Sequence, residues 1–240
     1  MLGGISDPKN PRSCKKHASI HCGKKILISE DISNFYPNTS YEAVKGIWKQ
    51  CFHFTDNISE VLALLTTFNG ELPQGWKTSG YLANLALWKH EPKLVKTLED
   101  NGFSYSRFID DITVSSPYFI TSETKHFIVS NIYRMLLPSG YSPKRTKHDI
   151  SSRESPMEVT SLNVNTKYPT IPKRQRNNIR AMVFQLERLA LSQRRTHSYY
   201  KQWLSLYGKV NRIKSFHERE GEDLQRRMRL IKPNKNFFRK

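Results

Sequence analysis

Three carboxylates are the residues of this chain best suited to chemistry. Asp31 closes an Ile-rich, alternating run, Lys24 to Ile32 (KKILISEDI), and Asp110 and Asp111 stand side by side between FSYSRFI and ITVS. A carboxylate placed where a strand should bury apolar surface is costly unless a cation pairs with it. Arg107 is the one Lys or Arg adjacent to these positions. Divalent cations are the natural partner, because oxygen ligands suit Mg²⁺, which keeps some waters and takes substrate phosphates as further ligands. Two such ions about 3.5–4 Å apart activate a 3′-hydroxyl and stabilise a departing pyrophosphate. An Asp-Asp pair is also a common hairpin turn, so the dyad gains meaning only from what surrounds it.

The elements that must hold these residues follow from periodicity and punctuation. Residues 1–22, with Pro8, Pro11, Arg12, Lys15 and Lys16, read as a loop entering a short helix, and Lys24 to Ile32 as a strand. Helices are expected over Tyr41–Asn57 (after an N-capping Ser40), Ile58–Phe68 and Tyr81–Leu98, with a Gly- and Pro-containing loop over Leu72–Gly80. Phe103–Ser115 reads as two strands flanking the acidic turn, and Ser122–Leu137 as a helix. Ser142–Ile150 and Val159–Val164 are candidate strands, and Lys173–Leu191 and Trp203–Ile213 candidate helices. The order implies an α+β fold with a helical C-terminal lobe.

Composition narrows the function classes. The 240 residues suit one large domain or two small lobes sharing a cleft, and 37% hydrophobic with 11% aromatic residues excludes wholesale disorder. No apolar run approaches the roughly 18 residues that span a bilayer, and no apolar stretch follows the N-terminal charges. Three unpatterned cysteines, Cys14, Cys22 and Cys51, argue for a reducing, cytoplasmic setting. The net charge of +18 favours a polyanionic partner, most simply nucleic acid. Residues 171–240 hold 19 basic and 5 acidic residues, a net +14, against +4 for residues 1–170.

Between the two acidic sites lies Leu72–Leu85 (LPQGWKTSGYLANL). With DISNFYP at Asp31–Pro37 and RFIDDITVS at Arg107–Ser115, it resembles motifs A, B and C of reverse transcriptases in order and spacing. Gly140–Lys147 is similar to motif D, Val159–Asn165 to the primer grip, and Ile171-Pro172-Lys173 to the start of the thumb in bacterial retron-type and defence-associated enzymes. The likeness covers roughly residues 12–190.

That resemblance implies a right-hand polymerase palm with reduced fingers over residues 1–168 and a basic helical thumb over residues 169–240. Asp31, Asp110 and Asp111 would be catalytic. With Ile32 they would form the metal-binding set for two Mg²⁺ ions, with Mn²⁺ as the alternative. Tyr36 would be the steric gate under the sugar, where a ring clashes with a 2′-hydroxyl; an ordinary core or turn tyrosine is the plainer reading. Gln74 and Gly75 would touch the incoming nucleotide and template base. Lys147, with Lys144 as its rival, would lie near the triphosphate, unless it is simply a solvated lysine. Lys173, Arg176 and Arg180, flanking the apolar stripe Ile179, Val183, Leu186 and Ala190, would hold nucleic acid with that stripe packed on the palm. The sequence departs from the family at Phe108 (usually Tyr), Gly80 (often Pro) and Ser161 (commonly Gly), and has few residues before motif A.

The reading is an RNA-directed DNA polymerase with dNTP substrates, a structured non-coding RNA template and a DNA product, in a retron or anti-phage defence system. An effector protein or a second copy are further candidate partners; no membrane is implied. The alternatives are a template-independent or protein-primed polymerase of the same fold, an inactive RNA-binding relative, and a metal-dependent nuclease. Two other clusters carry less. Cys14, His17, His21 and Cys22 lack the second half of a zinc knuckle, and the run Asn236–Lys240 (NFFRK) reads equally as a base-stacking or a frayed tail.

Overall fold

The alternating run before motif A forms β1 (Ile26–Asp31), an inner strand of a four-stranded antiparallel sheet. The order is β2 (Ser104–Phe108), β3 (Asp111–Ser116), β1, β4 (Asp149–Ser152). The computed structural model describes residues 2, 3, 5, 9 and 12–233; Pro8, Pro11 and the run Asn236–Lys240 lie outside the described residues. No described helix is long and apolar enough to cross a membrane.

Side chains alternate between the two faces of a sheet, and directly paired residues share a face. Ile28 pairs with Val114 and Glu30 with Ile112. Ile26, Ile28, Ile112 and Val114 thus face one core with Leu82 and Ala83 of α5 (Ser79–Leu85) and Leu94 and Leu98 of α6 (Glu91–Asp100). Ile128, Ile132 and Met135 of α7 (Ser122–Leu136) belong to the same core. The opposite face carries Asp31, Asp111, Thr113 and Ser115, so the carboxylates stand on the polar side of a sheet anchored by apolar residues on the other. His21, just past α1 (Cys14–Ile20), spans that polar face, its ring nitrogens 2.6 and 2.7 Å from the Ser106 and Ser115 hydroxyls.

Of the four residues weighed as zinc ligands, His21 is held by these two serine hydroxyls. Burial lowers His21 to about 3 and His17 to about 4, so both rings are neutral. His17 stacks on Phe108 with ring centroids 5.6 Å apart. All three cysteines are free thiols.

Two compact units divide the chain: 1–160 with 164–168, and 161–163 with the chain from Pro169 onward. The second unit contains α8 (Lys173–Gln193), α9 (His197–Phe216) and α10 (Glu218–Leu230), which pack on one another. Its buried residues include Val183, Leu186, Trp203, Leu206, Val210, Leu224 and Met228. Trp203 donates from Nε1 to the Met228 carbonyl at 3.0 Å, and Tyr199 donates to that of Ile231 at 2.7 Å. Arg227 makes a two-pronged pair with Glu187, both contacts at 2.8 Å. The stripe expected to lie on the palm belongs to α8, which packs on α9 and α10; α10 itself was not singled out from the sequence.

Several expected boundaries shift. The helix from Tyr41 is α-helical to Gly46, continues as a π turn over Ile47–Cys51 and breaks before α4 (Asp56–Thr66). The expected helix over Tyr81–Leu98 is two, α5 and α6, because Pro92 cannot donate within a continuing helix but suits a first turn. The strand expected over Ser142–Ile150 is reduced to β4, preceded by a 3₁₀ turn over Arg145–Lys147. Val159–Val164 is interrupted by Thr160 and Ser161 at φ 47 and 61. In α4 the small and polar residues Ser59, Ala63 and Thr66 are buried while Val61, Leu64 and Leu65 are exposed.

The two glycines of the last helices make opposite predictions. A Cβ on Gly221 would lie 2.2 Å from Cα of Lys214, where α10 crosses α9, whereas one on Gly208 would meet nothing within 4 Å. Gly221→Ala should destabilise the protein by about 1–3 kcal/mol in thermal or urea unfolding. Gly208→Ala should be neutral or stabilising by up to about 1 kcal/mol. Equal effects of the two would contradict the close crossing.

Candidate active site

Asp31 ends β1 in register with Asp111 at the start of β3, so the two side chains emerge together on the polar face. Asp110 is the second residue of the two-residue loop joining β2 to β3. The first loop residue, Ile109, has φ 60, a conformation glycine usually supplies in such a turn and one that is strained for a β-branched side chain. The loop is tied to the first motif by the Ile32 N–H, which donates to the Asp110 carbonyl at 3.0 Å. Beyond Ile32, Asn34 adopts a left-handed conformation (φ 45) that starts the helical turn α2 (Phe35–Asn38) and sets Tyr36 beside the acids.

The electrostatics follow from this crowding. Burial, then the charges of Asp110 and Asp31, push Asp111 up from 3.8 to about 6, and it shares a hydrogen bond with Asp31. Burial also raises Asp110, with the Asp31 charge adding to it. The Lys147 ammonium pairs directly with Asp31 Oδ2, and that hydrogen bond raises its own pKa, helped by the charges of Asp111 and Asp110. Lys144, the rival reading, donates its backbone N–H to the Asp31 carbonyl at 2.7 Å. Tyr36 is raised by burial and then by the charge of Asp110.

Among the described residues, no three His, Cys, Asp or Glu side chains are gathered to hold a metal ion as they stand. A cation already sits at the cluster in the form of Lys147, and the donors are carboxylate oxygens that repel one another. That donor chemistry fits a hard divalent cation. The Ile32 side chain is buried and apolar, so its backbone carbonyl is all it could offer such an ion. Gln74 and Gly75 occupy an exposed turn ahead of α5, with Gly75 at φ 97, and no described hydrogen bond or ion pair joins them to the carboxylates. In the second unit Lys173 is exposed, while Arg176 and Arg180 both pair with Glu220, Arg180 at 2.7 Å.

The chain is 34% identical over 197 residues to the Retron Se72 reverse transcriptase of Salmonella heidelberg, covering 81% of this chain and 52% of that one. It is 31% identical over 219 residues to the Retron Ec48 reverse transcriptase of Escherichia coli, covering 90% and 53%. The chain is a homologue of the retron reverse transcriptases. It spans about half the length of the curated relatives it matches. No protein-family model matches it. A solved telomerase from Candida albicans, in complex with a fragment of telomeric RNA, aligns at TM-score 0.49 with 11% identity, covering 85% of this chain and 40% of that one, too loosely to decide anything about the site.

Two side-chain contacts near the acids were not found by reading the sequence of this retron homologue. Arg107 reaches Glu91 of α6, and His148 Nδ1 lies 2.6 Å from Oε1 of buried Glu30. A charged residue on the core side of a strand signals that a partner exists, but the partner is distant in sequence, and only the fold identifies it.

The folded state holds the Asp111 proton more tightly than the unfolded chain does, so this group's contribution to metal-free stability declines as pH rises from 3.8 to about 6. Asp111→Asn should flatten that decline in thermal unfolding. At pH 7.5, millimolar Mg²⁺ should raise the unfolding midpoint of the wild type and leave Asp31→Asn and Asp110→Asn unmoved. A Mg²⁺ shift that survives both substitutions would place the ion elsewhere.

Proposed function

We propose that this chain carries the palm and thumb of an RNA-directed DNA polymerase that extends a primer 3′-hydroxyl with dNTPs on a structured non-coding RNA of a retron. The observation that carries the reading is the register pairing of Asp31 with Asp111, with Asp110 in the adjoining turn and Tyr36 and Lys147 beside them. The names of the retron relatives support the same reading.

Asp31, Asp110 and Asp111, with the Ile32 carbonyl, would hold divalent cations. When bound, these would activate the primer hydroxyl and neutralise charge on the leaving pyrophosphate. The chain's own residues prepare that site. The register of β1 and β3 aims two carboxylates at one point, and the Ile32–Asp110 hydrogen bond keeps the third beside them. Lys147 holds the cluster's charge in check as Asp31's partner, and on moving to a triphosphate it would place an ammonium, and a proton, beside the phosphates. Tyr36, half-buried against the core and next to Asp110, would present its ring beneath the incoming sugar and exclude a 2′-hydroxyl. Gln74 and Gly75, on the exposed turn, would border the nucleotide and template base.

The helical unit would hold the nucleic acid. Four of its five acids are in ion pairs: Glu187, Glu220, Glu222 and Asp223. The net +14 carried by residues 171–240 is therefore not silenced internally. Phosphate contacts of this sort carry little sequence information. With Arg176 and Arg180 shared by Glu220, Lys173 is the one of the three that no ion pair engages among the described residues.

Primer extension with dNTPs and Mg²⁺, with an RNA template and without one, tests the reading. The wild type should extend only on the template; extension without one would favour the untemplated alternative. Asp31→Ala or Asp110→Ala should abolish incorporation, a loss of at least about 1,000-fold, while RNA binding persists. In the same assay Tyr36→Ala should admit ribonucleotides more readily. Incorporation by the aspartate variants at the wild-type rate would sink the assignment.

A further inference from the structure

We propose that Arg107 is the positioning residue of this site. From the face of the sheet opposite the carboxylates, one guanidinium ties the turn carrying Asp110 to α5, to α6 and to the segment bearing Tyr36. The proposal rests on the polymerase reading only for what the site does; the tie itself is a matter of geometry.

Arg107 pairs in register with Ile112, which belongs to the apolar face, whereas its neighbour Phe108 pairs with Asp111 on the polar face. Its side chain is 0% exposed. A charge buried so completely persists only where it is paired and its donors are satisfied. Glu91, 3% exposed, supplies the counter-charge. Nε donates to Glu91 Oε1 at 2.8 Å and Nη2 to Oε2 at 2.9 Å, a two-pronged pair. Tyr105 donates its hydroxyl to the same Oε1 at 2.8 Å, which fixes the carboxylate in turn.

The remaining donors reach backbone. Nη2 also donates to the Asn84 carbonyl at 3.0 Å, and Nη1 to those of Ile109 at 2.6 Å and Ala83 at 3.5 Å. All five N–H donors of the guanidinium thus have acceptors. Its carbon lies 5.8 Å from the centroid of the Phe35 ring, one residue before Tyr36. Three segments that must keep fixed distances during the reaction therefore meet on one rigid, planar group: Phe35, Ala83-Asn84 and Ile109.

The Ile109 contact matters most. Its backbone is held at φ 60, and its carbonyl is the last acceptor before Asp110. A strained turn persists where surrounding contacts over-determine it. Arg107 supplies that contact, and the Ile32 N–H holds the following carbonyl. A lysine could keep the charge beside Glu91 but could not serve Ile109, Asn84 and Glu91 together, since its donors radiate from a single nitrogen.

The test uses the full chain and two variants, each read for thermal stability, for Mn²⁺ affinity without substrate by EPR, and for single-turnover dTTP incorporation on poly(rA)/oligo(dT). Arg107→Lys keeps the buried charge and loses the ties to the turn. The double variant Arg107→Gln with Glu91→Gln removes the buried pair as a neutral exchange, which is often tolerated in stability, and loses the same ties. Both should bind Mn²⁺ at least about tenfold more weakly. Both should incorporate about 100-fold more slowly per folded molecule, with KM for dTTP little changed. The double variant also decides the matter should Arg107→Lys not fold. Wild-type Mn²⁺ affinity and rate per folded molecule in the double variant would overturn the proposal and leave Arg107 a stabiliser of the core. If the wild type fails to extend any primer, the polymerase reading falls, and the Mn²⁺ affinities still judge Arg107.

Discussion

Mutual repulsion among three carboxylates, one buried and two half-buried, is the constraint on which the rest of the sheet-bearing unit depends. Asp31 and Asp111 share one end of the polar face with Asp110 in the adjoining turn, and burial, then the charges of Asp110 and Asp31, push Asp111 up to about 6. Such an arrangement costs folding free energy and survives only because other features hold it. Apolar residues on the opposite face anchor β1 and β3, the Ile32–Asp110 hydrogen bond closes the loop, and Lys147 supplies a cation. A cluster of this kind stores unfavourable electrostatics that a bound cation would relieve.

The two faces of the sheet divide the labour. The polar face carries Asp31 and Asp111 beside small residues such as Thr113 and Ser115, with His21 hydrogen-bonded across Ser106 and Ser115. The apolar face carries position: Ile28, Val114 and the helices against them set the strands, and Arg107 with Glu91 joins the loop to its neighbours. A substitution on the core face can therefore reach the acidic turn on the other side, because Arg107 donates to the backbone of Ile109. The helical unit is built differently, with four of its five acids engaged in ion pairs and a large cation excess left over. That suits a surface that attracts phosphate without reading sequence.

Much of the site was legible in the residue order because its signals are local. Alternation over Ile26–Asp31 and the acidic turn between two β-rich runs mark the strands and place all three carboxylates at their ends. What was not legible depends on partners far apart in the chain. Lys147 and Asp31 lie 116 residues apart, and nothing local distinguishes that lysine from Lys144. Arg107 announces a need for a counter-charge, but Glu91 becomes its partner only after α6 docks on β2. The break before Glu91 was written in Pro92, which a continuous apolar pattern masked. In α4, packing buries Ser59 and Ala63 and leaves Leu64 and Leu65 exposed, so which face turns inward was not given by hydrophobicity alone.

The central claim is that the three carboxylates form one cation site from which Lys147 is displaced when substrate enters. The most direct measurement is a crystal structure of the chain soaked with Mn²⁺ and a non-hydrolysable dNTP, with anomalous scattering recorded for the metal. The account predicts an anomalous peak bounded by Asp31, Asp110 and Asp111, with the Lys147 ammonium moved from Asp31 toward the triphosphate. A nucleotide bound without metal at those carboxylates, or Lys147 still paired to Asp31 in the loaded site, would contradict it.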